Sequence, residues 1–400
     1  MKIEKIRRDF PILKNEDIIY FDNACQSLRP QTVIDAINEY YQNYSACEGR
    51  SMHKFGEKVT RKCKESREIV AKFIGAKKKE EIIFTRNATE GINLVAKSLK
   101  MKEGEGVLLS DKEHNSNLIP WQIKARKEKL FLRILHSCDD NTFDLNKFEQ
   151  IVSGENIKFI SIVHTSNLDG VSNPIADIIK ISHKYGALVL IDCAQSASHQ
   201  KINVKKLNVD FAVFSGHKML GPSGIGFLYG KYDLLKEMDP FMVGGDTVEF
   251  STYDDFKLLP PPNKFEAGLQ NYAGIIGLTE AIKYLQKVGF KNIIKQEAKI
   301  NKIITDELLQ IPGIEIIGPK DYRKRGGIVS FTVKNMDNHQ VALMLDSVKN
   351  IMVRSGQFCV HSWFNDRKIK NAVRVSLSFY NTEKEAYILA ESLNKIIKLK

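Results

Sequence analysis

The stretch Ser-Gly-His-Lys-Met-Leu-Gly-Pro-Ser-Gly at 215–224 places Lys218 directly after an apolar run that ends at Phe214. A lysine in a Gly/Ser-rich loop at the end of a buried strand is a candidate amine nucleophile. In a partly desolvated, cationic pocket it loses its proton more readily and can form a Schiff base. Taken alone, the loop suits a plain turn with an exposed lysine equally well. Upstream, LVLIDCAQSASH at 188–199 delivers Asp192 and then Gln195 from a second apolar run. A carboxylate buried at a strand end is costly unless a cation pairs with it. The protonated ring nitrogen of pyridoxal phosphate is such a cation, and that cofactor needs the pairing to act as an electron sink. A lone Asp192 reads as a helix cap; together with Lys218 it reads as a cofactor partner.

Three further loops come after apolar runs. In RNATEGIN at 86–93, Thr89 and the free amides of a helix start would make an anion site, or an ordinary N-cap with Glu90 in the first turn. In KEHNSNLIPW at 112–121, His114 could stack on a planar ring and exchange protons, although a single loop histidine is usually structural. In HTSNLDG at 164–170, Asn167 offers a donor toward a ring oxygen.

The elements that would hold these residues alternate along the chain. Strands are expected at Ile82–Thr85, Gly106–Leu109, Phe131–Leu135, Phe159–Val163, Ala187–Ile191, Phe211–Phe214 and Gly226–Tyr229. Several are apolar almost throughout, as strands covered on both faces are. Helical stretches at Glu90–Leu99, Leu145–Val152 and Pro174–Tyr185 lie between them, the last closed by Gly186. Strand–helix repetition predicts a mostly parallel sheet that binds ligands at its carboxyl edge. After Pro260-Pro261-Pro262, helices at Tyr272–Val288 and Asn292–Gln310 lead into an α+β pattern. That pattern comprises Gly327–Val333, His339–Asp346, Ile351–Arg354, Ala372–Ser378 and Glu383–Lys398, so a large domain and a smaller C-terminal one are expected, hinged near 272.

The chain has 400 residues, 43% hydrophobic and 27% charged, enough apolar material for large cores and little for long disorder. No run approaches 18 apolar residues and the first residues lack a signal-peptide core, so a cytoplasmic protein without membrane contact is expected. The net charge of +12 is spread over helix faces; Lys77-Lys78-Lys79 and Arg323-Lys324-Arg325 are the short clusters. Without zinc-finger spacing or an aromatic stripe, this reads as a solvated surface, and no nucleic-acid partner is expected. Six cysteines without a CxxC argue for a reducing compartment.

The order TEGIN, EH-N-N-PW, H-SN--G, D-AQ, SGHK-GP-G, FEAG, RSG--C and R-S---YN, from about Tyr20 to Leu393, resembles the class V aminotransferases of fold-type I PLP enzymes. Within that group it is most similar to SufS-type cysteine desulfurases. The resemblance implies an α/β fold-type I PLP-dependent transferase with a mostly parallel seven-stranded sheet. It also implies an N-terminal segment (1–20) on the small domain, a large PLP-binding domain (21–271), and a linking helix with a small α+β domain (272–400). Lys218 would carry the cofactor, Asp192 would pair with its ring nitrogen and Gln195 with its hydroxyl. His114 would stack on the ring; Thr89, Ser215 and His217 would hold the phosphate, with Ala88 in the same set. Arg374 would clamp the substrate carboxylate, with Asn167, Arg354, Ala24 and His53 on the substrate side. Cys359 would be the nucleophile that takes sulfur from L-cysteine as a persulfide; a small buried hydrophobe is the alternative for such a thiol. A homodimer and a sulfur-acceptor partner are implied. Selenocysteine or cysteine-sulfinate lyase activity, or another class V activity, is the alternative function, and no metal ligand belongs to the site.

Four stretches depart from the family pattern. Gln357-Phe358 replace two histidines before Cys359, and Leu269 replaces the threonine after FEAG, where Gln270 or backbone amides would have to substitute. Gly49-Arg50-Ser51-Met52-His53 lacks one histidine, and Cys25 comes after Ala24 as an extra thiol. Cys25 and Cys47 are expected either to fill space as small buried side chains, to relay a persulfide with Cys359, or to hold a metal or iron–sulfur cluster. Cys63 falls on a helix rich in Lys and Glu and is not expected to join them.

Overall fold

The computed structural model describes residues 2–15 and 17–398; the outermost ends of the first and last expected segments lie outside it. Seven strands form the central sheet in the order Ile82–Thr85, Gly226–Gly230, Phe211–Ser215, Leu188–Asp192, Ile157–Val163, Gly106–Ser110 and Phe131–Leu135. Gly226–Gly230 runs antiparallel to both neighbours and the other pairings are parallel, as expected. Side chains alternate between two apolar layers because a strand repeats every two residues. Phe159, Leu190 and Val213 pack on one face with Ile92, Val95 and Trp121. Ile160, Val189, Ile191 and Phe214 pack on the other with Ile178, Ile179 and Leu278. Both faces are thus covered, which is why these strands read as unbroken apolar runs. Gly186 takes φ +74°, the left-handed turn read from its place after the helix Ile175–Lys184.

The second sheet is antiparallel, in the order Ile314–Ile317, Ile328–Val333, Ala372–Ser376, Arg354–Gly356. Helices Phe290–Gln310, Asn338–Lys349 and Glu383–Lys398 contribute Ile300, Leu345 and Leu393 to its core. The single strand expected at Ile351–Arg354 is two strands. Ile351–Met352 pairs in parallel with Ile19–Tyr20, whereas Arg354–Gly356 pairs with Ala372–Ser376. The chain changes partners at Val353, and no residue type marks that change. The helices Gln31–Asn43 and Asn115–Glu128 and the hairpin Val248–Ser251/Phe256–Leu258 were not legible in the sequence. Asn115–Glu128 carries Pro120 in its interior, ordinarily a helix breaker.

One buried ion pair fastens the FEAG segment to the edge of the large sheet. Arg67 donates twice to Glu266, at 2.7 Å each, and once to the Ile82 carbonyl, while Glu266 also accepts from the Phe84 amide. The side chains are 13% and 7% exposed. Removing one partner strands the other as a buried charge, so Arg67→Met is expected to cost about 3–5 kcal/mol. The check is the midpoint of urea unfolding, which should fall well below that of the parent.

Candidate active site

The parallel strands Ile157–Val163, Leu188–Asp192 and Phe211–Ser215 end on a cavity of about 490 Å³, at the carboxyl edge expected for an open α/β sheet. Lys218 closes the short turn Gly216–Lys218 after the third strand and lines this cavity, half-buried. The turn needs glycine at 216, where a Cβ would lie 2.7 Å from the Ile225 carbonyl oxygen. Burial lowers the Lys218 pKa against the opposing pull of Asp192, which favours the neutral, nucleophilic amine. Asp192 is 5% exposed and accepts the Ala194 amide at 2.8 Å. No cation lies within ion-pair distance of it among the described residues, and burial raises its pKa. Gln195 lines the cavity beside it and donates to the Ala24 carbonyl at 2.8 Å.

His114 caps the helix Asn115–Glu128, its Nδ1 accepting the Ser116 amide at 3.0 Å, so the neutral ring carries its proton on Nε2. Burial first, then the charges of Lys218, Arg374 and His361, pushes its pKa down to about 3. At one end of the cavity, Asn87 caps the helix Ala88–Ser98. Ser215 Oγ accepts the Ala88 amide at 3.0 Å, and Thr89 Oγ1 donates to Ser116 Oγ at 2.8 Å. His217, its pKa lowered to about 4 by burial, completes that end. Hydroxyls, an imidazole and a helix start together make a site for an anion.

The opposite wall comes from the antiparallel sheet. Arg354 and Arg374 face each other in register on neighbouring strands, an arrangement that repels unless an anion joins them. Asp22 is that anion, 2.9 Å from Arg354 and 3.5 Å from Arg374. Arg374 is 3% exposed, donates to the Asn167 carbonyl at 3.1 Å, and lies 4.8 Å from the Phe358 ring centre. Phe358, standing where relatives are expected to carry histidine, is thus a platform for the guanidinium. Asn167 in turn donates to the Phe358 carbonyl at 2.7 Å, and the Asn115 amide to the Cys359 carbonyl at 2.7 Å. Phe358 and Cys359 both have left-handed backbones, φ +50° and +58°, which turn the exposed Cys359 onto the cavity rim. Ala24 is buried in the cavity wall.

Every residue named for this site from the sequence lines the cavity except His53. His53 is exposed and caps the helix Lys54–Ile74 through Gly56. Gln270 is committed to the Ala267 and Gly268 carbonyls beside the exposed Leu269. Cys25 and Cys47 are not the small buried side chains of the plain reading: Cys25 is half-buried on the cavity and Cys47 is exposed away from it. Among the described residues no group of three or more His, Cys, Asp or Glu is placed to hold a metal ion, and Cys47 does not join Cys25 and Cys359 on the cavity. Sequence reasoning missed Asp22, whose role arises only when the two arginines come into register. If the two arginines hold the substrate carboxylate that the resemblance implies, Asp22→Asn is expected to raise KM about tenfold or more with a smaller change in kcat, since the arginines lose the anion that joins them. Steady-state kinetics against substrate concentration checks the split.

The family model for aminotransferase class-V matches residues 19–389. A probable cysteine desulfurase of Pyrococcus abyssi is 40% identical, with 99% of this chain and 98% of that protein covered. The apo cysteine desulfurase of Thermococcus onnurineus superposes with a TM-score of 0.95 at 39% identity, over 99% of this chain and 98% of that one. A cysteine desulfurase of Escherichia coli superposes with a TM-score of 0.92 at 27% identity, over 100% and 99%. The chain therefore belongs to the class V aminotransferase family and, within it, to the cysteine desulfurases, PLP-dependent enzymes of fold type I.

Proposed function

We propose that the protein takes sulfur from L-cysteine, releases L-alanine, and carries the sulfur as a persulfide on Cys359 to an acceptor protein or scaffold. Iron–sulfur cluster or thio-cofactor synthesis would consume it. One observation carries the reading: an amine, a buried carboxylate without a cation, a buried guanidinium and a thiol line a single cavity.

These residues suit pyridoxal phosphate. Asp192 lacks the cation that a protonated ring nitrogen supplies, and the helix start at Ala88 with Thr89, Ser215 and His217 suits its phosphate. Lys218 would bear the cofactor, His114 would cover one ring face, and Gln195 and Asn167 would stand toward its hydroxyl. When bound, the cofactor supplies an electron sink for the substrate's α-carbon. Arg374 binds the substrate carboxylate, with Arg354 and Ala24 beside it. Lys218 Nζ, its pKa lowered by burial, moves the proton at the α-carbon. His114, neutral and protonated on Nε2, adds no positive charge there. Cys359 Sγ attacks the substrate sulfur, and the carbon–sulfur bond breaks as the persulfide forms. Adding L-cysteine to the cofactor-loaded protein should change its visible absorbance and yield alanine, with an equal amount of sulfide once a thiol reductant is present to reduce the persulfide. Pyruvate in place of alanine would overturn the reading.

We also propose a homodimer and a reducing, cytoplasmic setting. Met242, Val243, Phe250, Tyr253, Phe256 and Leu269 are exposed, and the Gly268 amide ties the Leu269 loop to Gly245. Large apolar side chains grouped in this way call for a covering surface. All six cysteines are free, and no helix among the described residues is long and apolar enough to cross a membrane. The pairing of Ile19–Tyr20 with Ile351–Met352 and the ion pair of Arg7 with Glu385 support placing the N-terminal segment with the small domain, and we place the division near 271. Dilution that separates subunits is expected to remove most activity; full activity in a fraction shown by light scattering to be monomeric would refute the dimer requirement.

A further inference from the structure

We infer that Cys25 is a second sulfur station: it takes the outer sulfur of the Cys359 persulfide and holds it inside the cavity, freeing Cys359 for another substrate. The inference rests on the desulfuration proposed above. Two thiols, Cys25 and Cys359, line this cavity together with Lys218. Cys25 is half-buried just after Asp22, while Cys359 is exposed at the rim. A substrate whose carboxylate rests on Arg374 has its sulfur inside the cavity. Cys359 must bring its own sulfur inward to reach it, so the sulfur it gains arises in the space that Cys25 lines.

The surroundings of Cys25 suit an anionic sulfur. Arg354 Nη2 donates to Cys25 Sγ at 2.7 Å while pairing with Asp22 at 2.9 Å. A guanidinium donating to sulfur stabilises the charge that a persulfide carries. Independently, Arg374, 3% exposed, keeps Nε without a hydrogen-bond partner among the described residues. The cluster around Cys25 therefore retains polar capacity that the protein's own groups do not fill. Other thiols do not share this setting: Cys47 and Cys138 are exposed off the cavity, and Cys63 and Cys193 are buried in the apolar core.

In the exchange, Cys25 Sγ attacks the outer sulfur of the persulfide. A sulfur–sulfur bond forms on Cys25 and the bond to Cys359 breaks. Cys359 Sγ leaves with the electron pair and takes up the proton that Cys25 gives up. No group is oxidised or reduced overall, so no co-reactant is needed.

The test uses the cofactor-loaded enzyme, given L-cysteine without acceptor or reductant, then alkylated, digested and mapped by mass, with alanine measured in parallel. The parent protein is expected to show one added sulfur on the Cys25 peptide and one on the Cys359 peptide, with an alanine burst of about two per chain. Cys25→Ser should halve the burst and the bound sulfur, and Cys359→Ser should leave the Cys25 peptide without added sulfur. Sulfur on Cys359 alone in the parent protein overturns the second station. So does a Cys25–Cys359 disulfide with sulfide released, which marks attack on the inner sulfur. Sulfur on Cys25 in the Cys359→Ser protein overturns the order of transfer. If no alanine forms and neither peptide gains sulfur, the desulfuration reading itself fails, and the station with it. The map of the parent protein decides the matter even if a variant does not fold.

Discussion

The Lys218→Ala protein should lose both the near-visible absorbance of its bound cofactor and its turnover, the latter by roughly 10³-fold or more. The structure gives the reason. Lys218 is the amine at this edge of the sheet whose pKa is lowered by burial, and it shares its cavity with the buried, cation-free Asp192. The other lysine nearby, Lys112, is buried against Asp169 and the Asn141 carbonyl and lies off the cavity. Lys218→Arg keeps the charge but is expected to fail equally, because a guanidinium stays protonated and cannot serve as the amine. An absorbance spectrum and an alanine assay on both variants decide it; retained band and turnover would remove Lys218 from its role.

Cys359→Ser should separate binding from chemistry. The cavity loses one sulfur atom and no charge cluster, so the cofactor band and its response to L-cysteine are expected to persist. Alanine formation, and sulfide formation in the presence of a thiol reductant, should fall roughly 10²–10³-fold, because a hydroxyl is a weak nucleophile toward sulfur at neutral pH. The backbone that presents Cys359 is held by the Asn115 amide at the Cys359 carbonyl and by Asn167 at the Phe358 carbonyl, so the side-chain substitution leaves the loop's anchors in place. Selenocysteine, whose selenium departs more easily, is expected to be less affected, which distinguishes a missing nucleophile from a collapsed site. Unchanged desulfuration by this variant would assign the chemistry elsewhere, with Cys25 the first residue to examine.

The sequence alone determined the residues at the strand ends. Strands covered on both faces are apolar runs, and the loop after each run emerges at one edge, so Asp192, Lys218, His114, Thr89 and Asn167 could be placed together from the pattern of runs and loops. Cys359 and Arg374 could be named only through the family resemblance, because they come from the second sheet, whose position against the first is a matter of packing. That packing alone decided three things. Arg354 and Arg374 stand opposite each other because a strand ends at Met352 and a new one begins at Arg354, and this register creates the need for Asp22. His53, plausible by its place in a motif, is spent on capping a helix at the surface. Cys25, one of six scattered thiols, became distinct from Cys47 only when the segment after Tyr20 ran beside the small sheet and placed Asp22 and Cys25 against the two arginines. Local periodicity records which face a side chain takes; contacts between residues hundreds of positions apart leave no such record, and those contacts set the cavity wall that the small sheet supplies.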